Sequence, residues 1–299
     1  MRELTPAQRH RARVLAEQAH AQTPYGQHLE SSAYQLMLVK LAADKRTLKG
    51  IESVHAKAAM KAKMLPAYAD WIAGALAGGG GADDVVLTTC MVWAIDAGAY
   101  ALALTIAPYV LQHGLPMPDH YQRKAASILV DEMADAYLLG RWNAITYGAT
   151  AEGETIQQQG NEGAVELLAQ ALALTQEHDM PDQARAKLYK AVAYAALGKV
   201  QTAEVVDLDK MPRQTLQDVR DLLGTAVALD SMCGVRKDIE RIDRKLAADA
   251  AGKVTLPTAA QAAEAAATPT ATTARIDSAP TARKRSAPAT KPAARTRKR

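Results

Sequence analysis

The chain has 299 residues, 48% of them apolar, but only 4% aromatic and with no Phe. It can bury a sizeable core, yet it lacks the bulky β-forming side chains that fill sheets, and its recurrent Ala favours close-packed helices. Two distant cysteines, Cys90 and Cys233, without CxxC or a His cluster, argue against a disulfide framework and a zinc knuckle; an N-terminus without an apolar leader points to the cytoplasm.

The net charge of +4 hides a tripolar distribution. Residues 1–65 carry 11 basic and 5 acidic side chains, residues 66–249 carry 15 and 25, and residues 250–299 carry 10 and 2. Basic ends around an acidic body suit contact of the ends with a polyanion, with the middle kept for protein partners. The expected fold class is all-α: helical hairpins, in part tetratricopeptide-like, between a basic N-terminal helical region and a disordered basic C-terminal tail.

Along the chain, RVLAEQAHAQ reads as a helix, Thr23-Pro24-Tyr25-Gly26 as a break, and about Ser31 to Met64 as one long helix. On that helix Tyr34, Met37, Leu41, Leu48 and Ile51 form an apolar stripe. Opposite it, Arg46, Lys49, Ser53, Lys57 and Lys61 form a basic ridge that can grip phosphates or simply face water. Residues 1–66 are therefore the expected DNA-binding region, with Arg46, Lys49, Lys57 and Lys61 as its candidate contacts.

Residues 67–147 read as a region of helical hairpins. The run Gly78-Gly79-Gly80-Gly81 is followed by no Gly-Lys-Ser/Thr, so a flexible linker fits better than a phosphate loop. Within the apolar stretch from Asp83 to Pro118, residues 85–111 are long enough to span a membrane, but Asp96 and Gly98 sit near the centre and Pro108 follows. As a hairpin it uses every irregular residue: Asp83 and Asp84 start a helix, Ile95-Asp96-Ala97-Gly98 turns, and His113-Gly114 ends the second helix. Gly98, Tyr100 and Ala103, and again Tyr194, Gly198 and Ala203, half-match a tetratricopeptide unit without a regular period. As a nuclease site the weak catalytic candidates are Asp83, Asp84 and Asp96, with Mg²⁺ required only if cutting is intrinsic. Their spacing builds no converging site, because adjacent helical residues point about 100° apart.

A helix around Gln122–Leu139 follows, then a Gly- and Gln-rich linker over 148–164, and helical hairpins again over 165–251. Residues 252–299 are Ala, Thr and Pro with scattered charge and cannot form a packed core. Arg283, Lys284, Arg285, Arg295, Arg297, Lys298 and Arg299 in this tail are candidate nonspecific DNA contacts.

The segments AYQLMLVKLAADKRTLKGI, DDVVLTTCMVWAIDAG, LQHGLPMP, DMPDQARAKLYK and VALDSMCGVRKDIERIDRKL resemble, in that order, the small terminase subunit of Peduovirus-type tailed phages. The resemblance covers most of residues 1–249. It implies a subunit that recognises viral double-stranded DNA, usually as a ring-like homo-oligomer. Such a subunit recruits an ATP-hydrolysing large subunit that packages DNA into proheads in the host cytoplasm. The family's description as an endonuclease subunit fits the acids poorly, and no cofactor motif is evident. The interval VVDLDKMPRQTLQDVRD looks inserted and the tail lengthened relative to the family. A helical-repeat scaffold or adapter without catalysis is the alternative reading.

Overall fold

In the computed structural model the residues described are 4–118, 123–149, 155–160, 163–199 and 206–253. The tail cations from Arg283 to Arg299, and Ala203 of the second half-match, lie outside them. The described residues are overwhelmingly helical, as composition and periodicity require.

Helix α1 (Pro6–Gln22) opens on a capping box in which Thr5 Oγ1 accepts from Gln8 N and Gln8 Oε1 accepts from Thr5 N. The expected long helix is two: α2 (Ser32–Lys49) and α3 (Val54–Met64). Gly50, a weak helix former, closes α2, and the Ser53 hydroxyl accepts from Ala56 N at 3.2 Å to start α3 afresh. The apolar stripe holds on α2, where Tyr34, Leu41 and Leu48 are buried and Met37 is half-buried. The basic ridge, however, is cut between Lys49 and Ser53.

A 3-10 turn (Leu65–Tyr68) leads into α4 (Ala69–Gly78), along which α1 packs. The glycine run is part of that packing and not a flexible linker. A Cβ on Gly74 would lie 2.3 Å from the Arg13 carbonyl oxygen, one on Gly78 2.6 Å from that of Glu17, and one on Gly80 2.2 Å from that of His20. These glycines let the α1 backbone approach closely, and Gly79 ends α4 in the left-handed region at φ 65°.

Helices α5 (Val85–Ala97) and α6 (Tyr100–His113) form the expected hairpin. The turn is tighter than expected: α5 runs through Asp96 and Ala97, and Gly98 at φ 83° reverses the chain. Eleven of the 13 residues of α5 are buried. Among the described residues no helix is long and apolar enough to cross a membrane.

Helix α7 (Ala125–Leu138) precedes an unexpected feature. Part of the segment read as a linker pairs as an antiparallel hairpin, β1 (Ala144–Ala149) with β2 (Thr155–Gly160), in register Ala144↔Gly160. Tertiary anchors support β1: Ile145 N donates to Gly98 O at 2.7 Å, and the Tyr147 hydroxyl donates to Ala62 O of α3 at 2.9 Å. Just before it, Trp142 stacks on Tyr100 with ring centroids 4.0 Å apart.

Then come α8 (Ala164–Thr175), α9 (Asp182–Ala196), a 3-10 turn (Leu208–Lys210), α10 (Arg213–Leu229) and α11 (Arg236–Lys253). The interval read as an insertion supplies the first half of α10, whose buried Leu216 and Val219 belong to the face packed on α9. Tyr194 and Lys199 both donate to Asp238 of α11, at 2.7 and 2.9 Å, joining the end of α9 to the last helix.

Candidate nucleic-acid interface

Asp84 is the N-cap of α5 and is fully buried. Its Oδ1 accepts from Val86 N at 2.8 Å and Leu87 N at 3.0 Å; its Oδ2 accepts from Trp71 Nε1 at 2.8 Å and faces His20 Nε2 at 3.1 Å. His20 Nδ1 lies 2.9 Å from the Ala16 carbonyl oxygen. One carboxylate thus fastens α1, α4 and the start of α5 together. Burial of the neighbouring Tyr34 hydroxyl, and after it the charge of Asp84, pushes that hydroxyl up to about 12.

Asp83 is largely covered and sits 3.7 Å from His28 Nδ1. Asp96, at the other end of α5, accepts from Lys61 Nζ at 2.5 Å. The structure therefore joins one candidate catalytic acid to one candidate DNA contact and leaves the three acids dispersed. Asp84 and Asp96 are separated by roughly 18 Å of helix at 1.5 Å per residue. A Mg²⁺ ion binds oxygen at about 2.1 Å and needs its carboxylates to converge. With Asp84 already accepting four contacts, these residues do not fit a shared metal. Among the described residues no group of three or more His, Cys, Asp or Glu could hold a metal ion.

The cations are arranged differently. Arg46 and Lys49 are exposed near the end of α2, and Lys57 is half-exposed on α3. None of the three has a carboxylate partner among the described residues. Lys61, by contrast, is only 17% exposed and committed to Asp96. Position-by-position reasoning passed over Arg11 and Arg13, exposed on α1, and Lys63, exposed on α3. The signal for them was present in the charge count of residues 1–65. It also missed His20 as the buried partner of Asp84, and the buried acid Asp44. Asp44 accepts from Lys40 Nζ and the Tyr68 hydroxyl, each at 2.6 Å.

The family description "Phage small terminase subunit" matches residues 38–183. The protein called "Terminase, endonuclease subunit" in Escherichia phage P2 is 37% identical over 248 residues, covering 81% of this chain and 85% of that protein. No solved structure matches the chain. With that identity sustained over most of both sequences, and with the helical order described above, the chain belongs to the phage small terminase subunit family.

Proposed function

We propose that this subunit binds phage double-stranded DNA through the basic surface of α1–α3 and the C-terminal cations, and presents it to an ATP-hydrolysing large subunit. Membership of the family supports a role in phage DNA packaging. The observation that carries the finer reading is the unequal use of charge. Among the described residues Arg46, Lys49 and Lys57 have no carboxylate partner, whereas Asp84 is consumed inside the fold and Asp96 by its ion pair with Lys61. Unpaired cations on adjacent helices are what a phosphate backbone needs. The subunit acts as a homo-oligomer in the host cytoplasm, where the DNA is cut and packaged. The test is duplex binding at several salt concentrations by the triple variant Arg46→Gln, Lys49→Gln, Lys57→Gln, and by a chain lacking residues 253–299. Each lost phosphate contact should flatten the log–log salt slope by about 0.9. Unchanged slopes in both would overturn the assignment.

A second reading, intrinsic Mg²⁺-dependent cutting, is favoured by the name of the phage P2 relative. Asp83, Asp84 and Asp96 supply no metal cradle for it. Purified protein with Mg²⁺ and cognate duplex, without the large subunit, separates the two readings. Strand cleavage abolished by Asp83→Asn or Asp96→Asn, in chains that still fold, would restore the nuclease reading.

A further inference from the structure

Helix α2 has two apolar sides. One, through Tyr34, Leu41 and Leu48, is buried in the subunit's own core. On the other, Leu36 is 70% exposed and Val39 66%, and Ser32, Ala43 and Arg46 are exposed with them. The positions 32, 36, 39, 43 and 46 advance by four, three, four and three residues, the seam of a two-helix coiled coil. A surface helix facing one core needs a single apolar stripe.

From this face we infer that α2 pairs with the α2 of a second copy of the chain, antiparallel, about a two-fold axis. The charge pattern selects that occupant and that direction. Residues 32–39 carry no charge, whereas residues 40–49 hold Lys40, Asp44, Lys45, Arg46 and Lys49. A parallel pair would set one basic half against the other. An antiparallel pair sets each basic half against an uncharged half. It also brings the exposed Glu30, just before α2, toward the other copy's basic end and opposes the helix dipoles. Such a contact is self-complementary, as a two-fold interface must be. With full overlap of the 18 residues, roughly 27 Å of helix, Val39 meets Ala43 of the second copy and Leu36 packs on the aliphatic stem of its Arg46. A seam this short falls below the ~1,200 Å² of a standard interface, so the pairing depends on concentration. The pairing would set the two copies of α3 at opposite ends of the paired helices, a separation on the order of the ~34 Å between successive major-groove faces of B-DNA. The inference rests on the homo-oligomeric part of the reading above and shares only Arg46 with the DNA contacts.

Sedimentation equilibrium on the full chain tests it. The wild type should show a mass that rises with concentration, and Leu36→Glu and Val39→Glu should halve it with an unchanged circular dichroism spectrum, since both side chains project into solvent. In a Cys233→Ser background, oxidised Val39→Cys/Ala43→Cys should give linked dimers while Leu36→Cys alone should not. A wild type monomeric at its highest soluble concentration overturns the pairing, as do charge variants of unchanged mass. Crosslinking through Leu36→Cys overturns the antiparallel direction. If the wild type is monomeric and Leu36→Glu instead abolishes capture of the purified large subunit, the face belongs to that partner. Lys49→Gln/Lys57→Gln is scored on DNA affinity at fixed mass. Wild-type binding there, beside a halved mass for Leu36→Glu, would sink the helix-borne part of the DNA reading and leave the pairing standing.

Discussion

Helices α3 and α5 are of similar length, 11 and 13 residues, yet eleven residues of α5 are buried and on α3 only Ala62 is. Each carries charged residues that sequence inspection selects as functional. The difference in burial decides what those charges do. On α5 the acids sit at the two helix ends, where a cap and an ion pair absorb them. On α3 and the neighbouring end of α2, Lys57, Arg46 and Lys49 have no acid partner among the described residues, while Lys61 is paired with Asp96. Charge type alone does not separate a binding residue from a structural one; the remaining hydrogen-bonding capacity does.

The sharpest way to break this contrast is Asp84→Ala. It removes the α5 cap and strands buried His20 and Trp71, and breaking a buried pair in this way costs about 3–5 kcal/mol, read by chemical denaturation. If Asp84 were a solvent-facing catalytic acid, stability would hardly change. Next, Gly78→Leu drives a side chain into the α1 backbone. Overpacking of this kind costs about 1–3 kcal/mol, and hydrogen exchange should show α1 released from α4 while the α5–α6 hairpin stays protected. Uniform protection across both would mean that the glycine track carries no packing.

Alkaline pH probes both regions together. Tyr34 on α2, Tyr100 on α6 and Tyr147 on β1 are each pushed up to about 12, chiefly by burial. In the unfolded chain the phenols ionise near 10, so above that pH the unfolded state holds fewer protons and stability falls until the folded groups ionise. Thermal melts should therefore be flat up to about pH 9 and decline steadily above about pH 10. A smaller effect sharpens the comparison directly. Asp96→Asn breaks the ion pair with Lys61 at a cost of about 1 kcal/mol or less. It also frees a lysine beside the proposed DNA surface, so duplex affinity should rise and its salt slope steepen. Smallest of all, Lys57→Gln should leave stability within about 0.5 kcal/mol and register only in DNA binding.

Much of the helical plan was legible because it rests on local rules. Gly98 and Gly114 were readable as helix ends because each takes a left-handed conformation that L side chains avoid. Asp84 was readable as a cap because the carboxylate precedes an apolar run. The break between α2 and α3 was legible in principle, since Gly50 and Ser53 are stop and start signals, but the apolar stripe running through Ile51 masked it. The β1–β2 hairpin was not legible. Its strands include Gly and a run of Gln, and the anchors that support it, the Gly98 and Ala62 carbonyls and the Tyr100 ring, are far away in sequence. The glycine run was misread for a related reason: glycines in a mobile linker and glycines under a packed helix look alike until α1 is placed on them.

By itself the sequence determined the all-α class, the α5–α6 hairpin with its caps, the segregation of charge along the chain, and a family resemblance that the comparisons bear out. These depend on periodicity, helix-end chemistry and order along the chain, all of which are local or additive. Tertiary structure alone decided that His20, 64 residues from Asp84, completes its coordination, that Lys61 belongs to Asp96 while Lys57 has no acid beside it among the described residues, and that α2 keeps a second apolar face turned to solvent. Each of those is a pairing, or the lack of one, between side chains far apart in sequence, and the packing of the helices settles which groups meet.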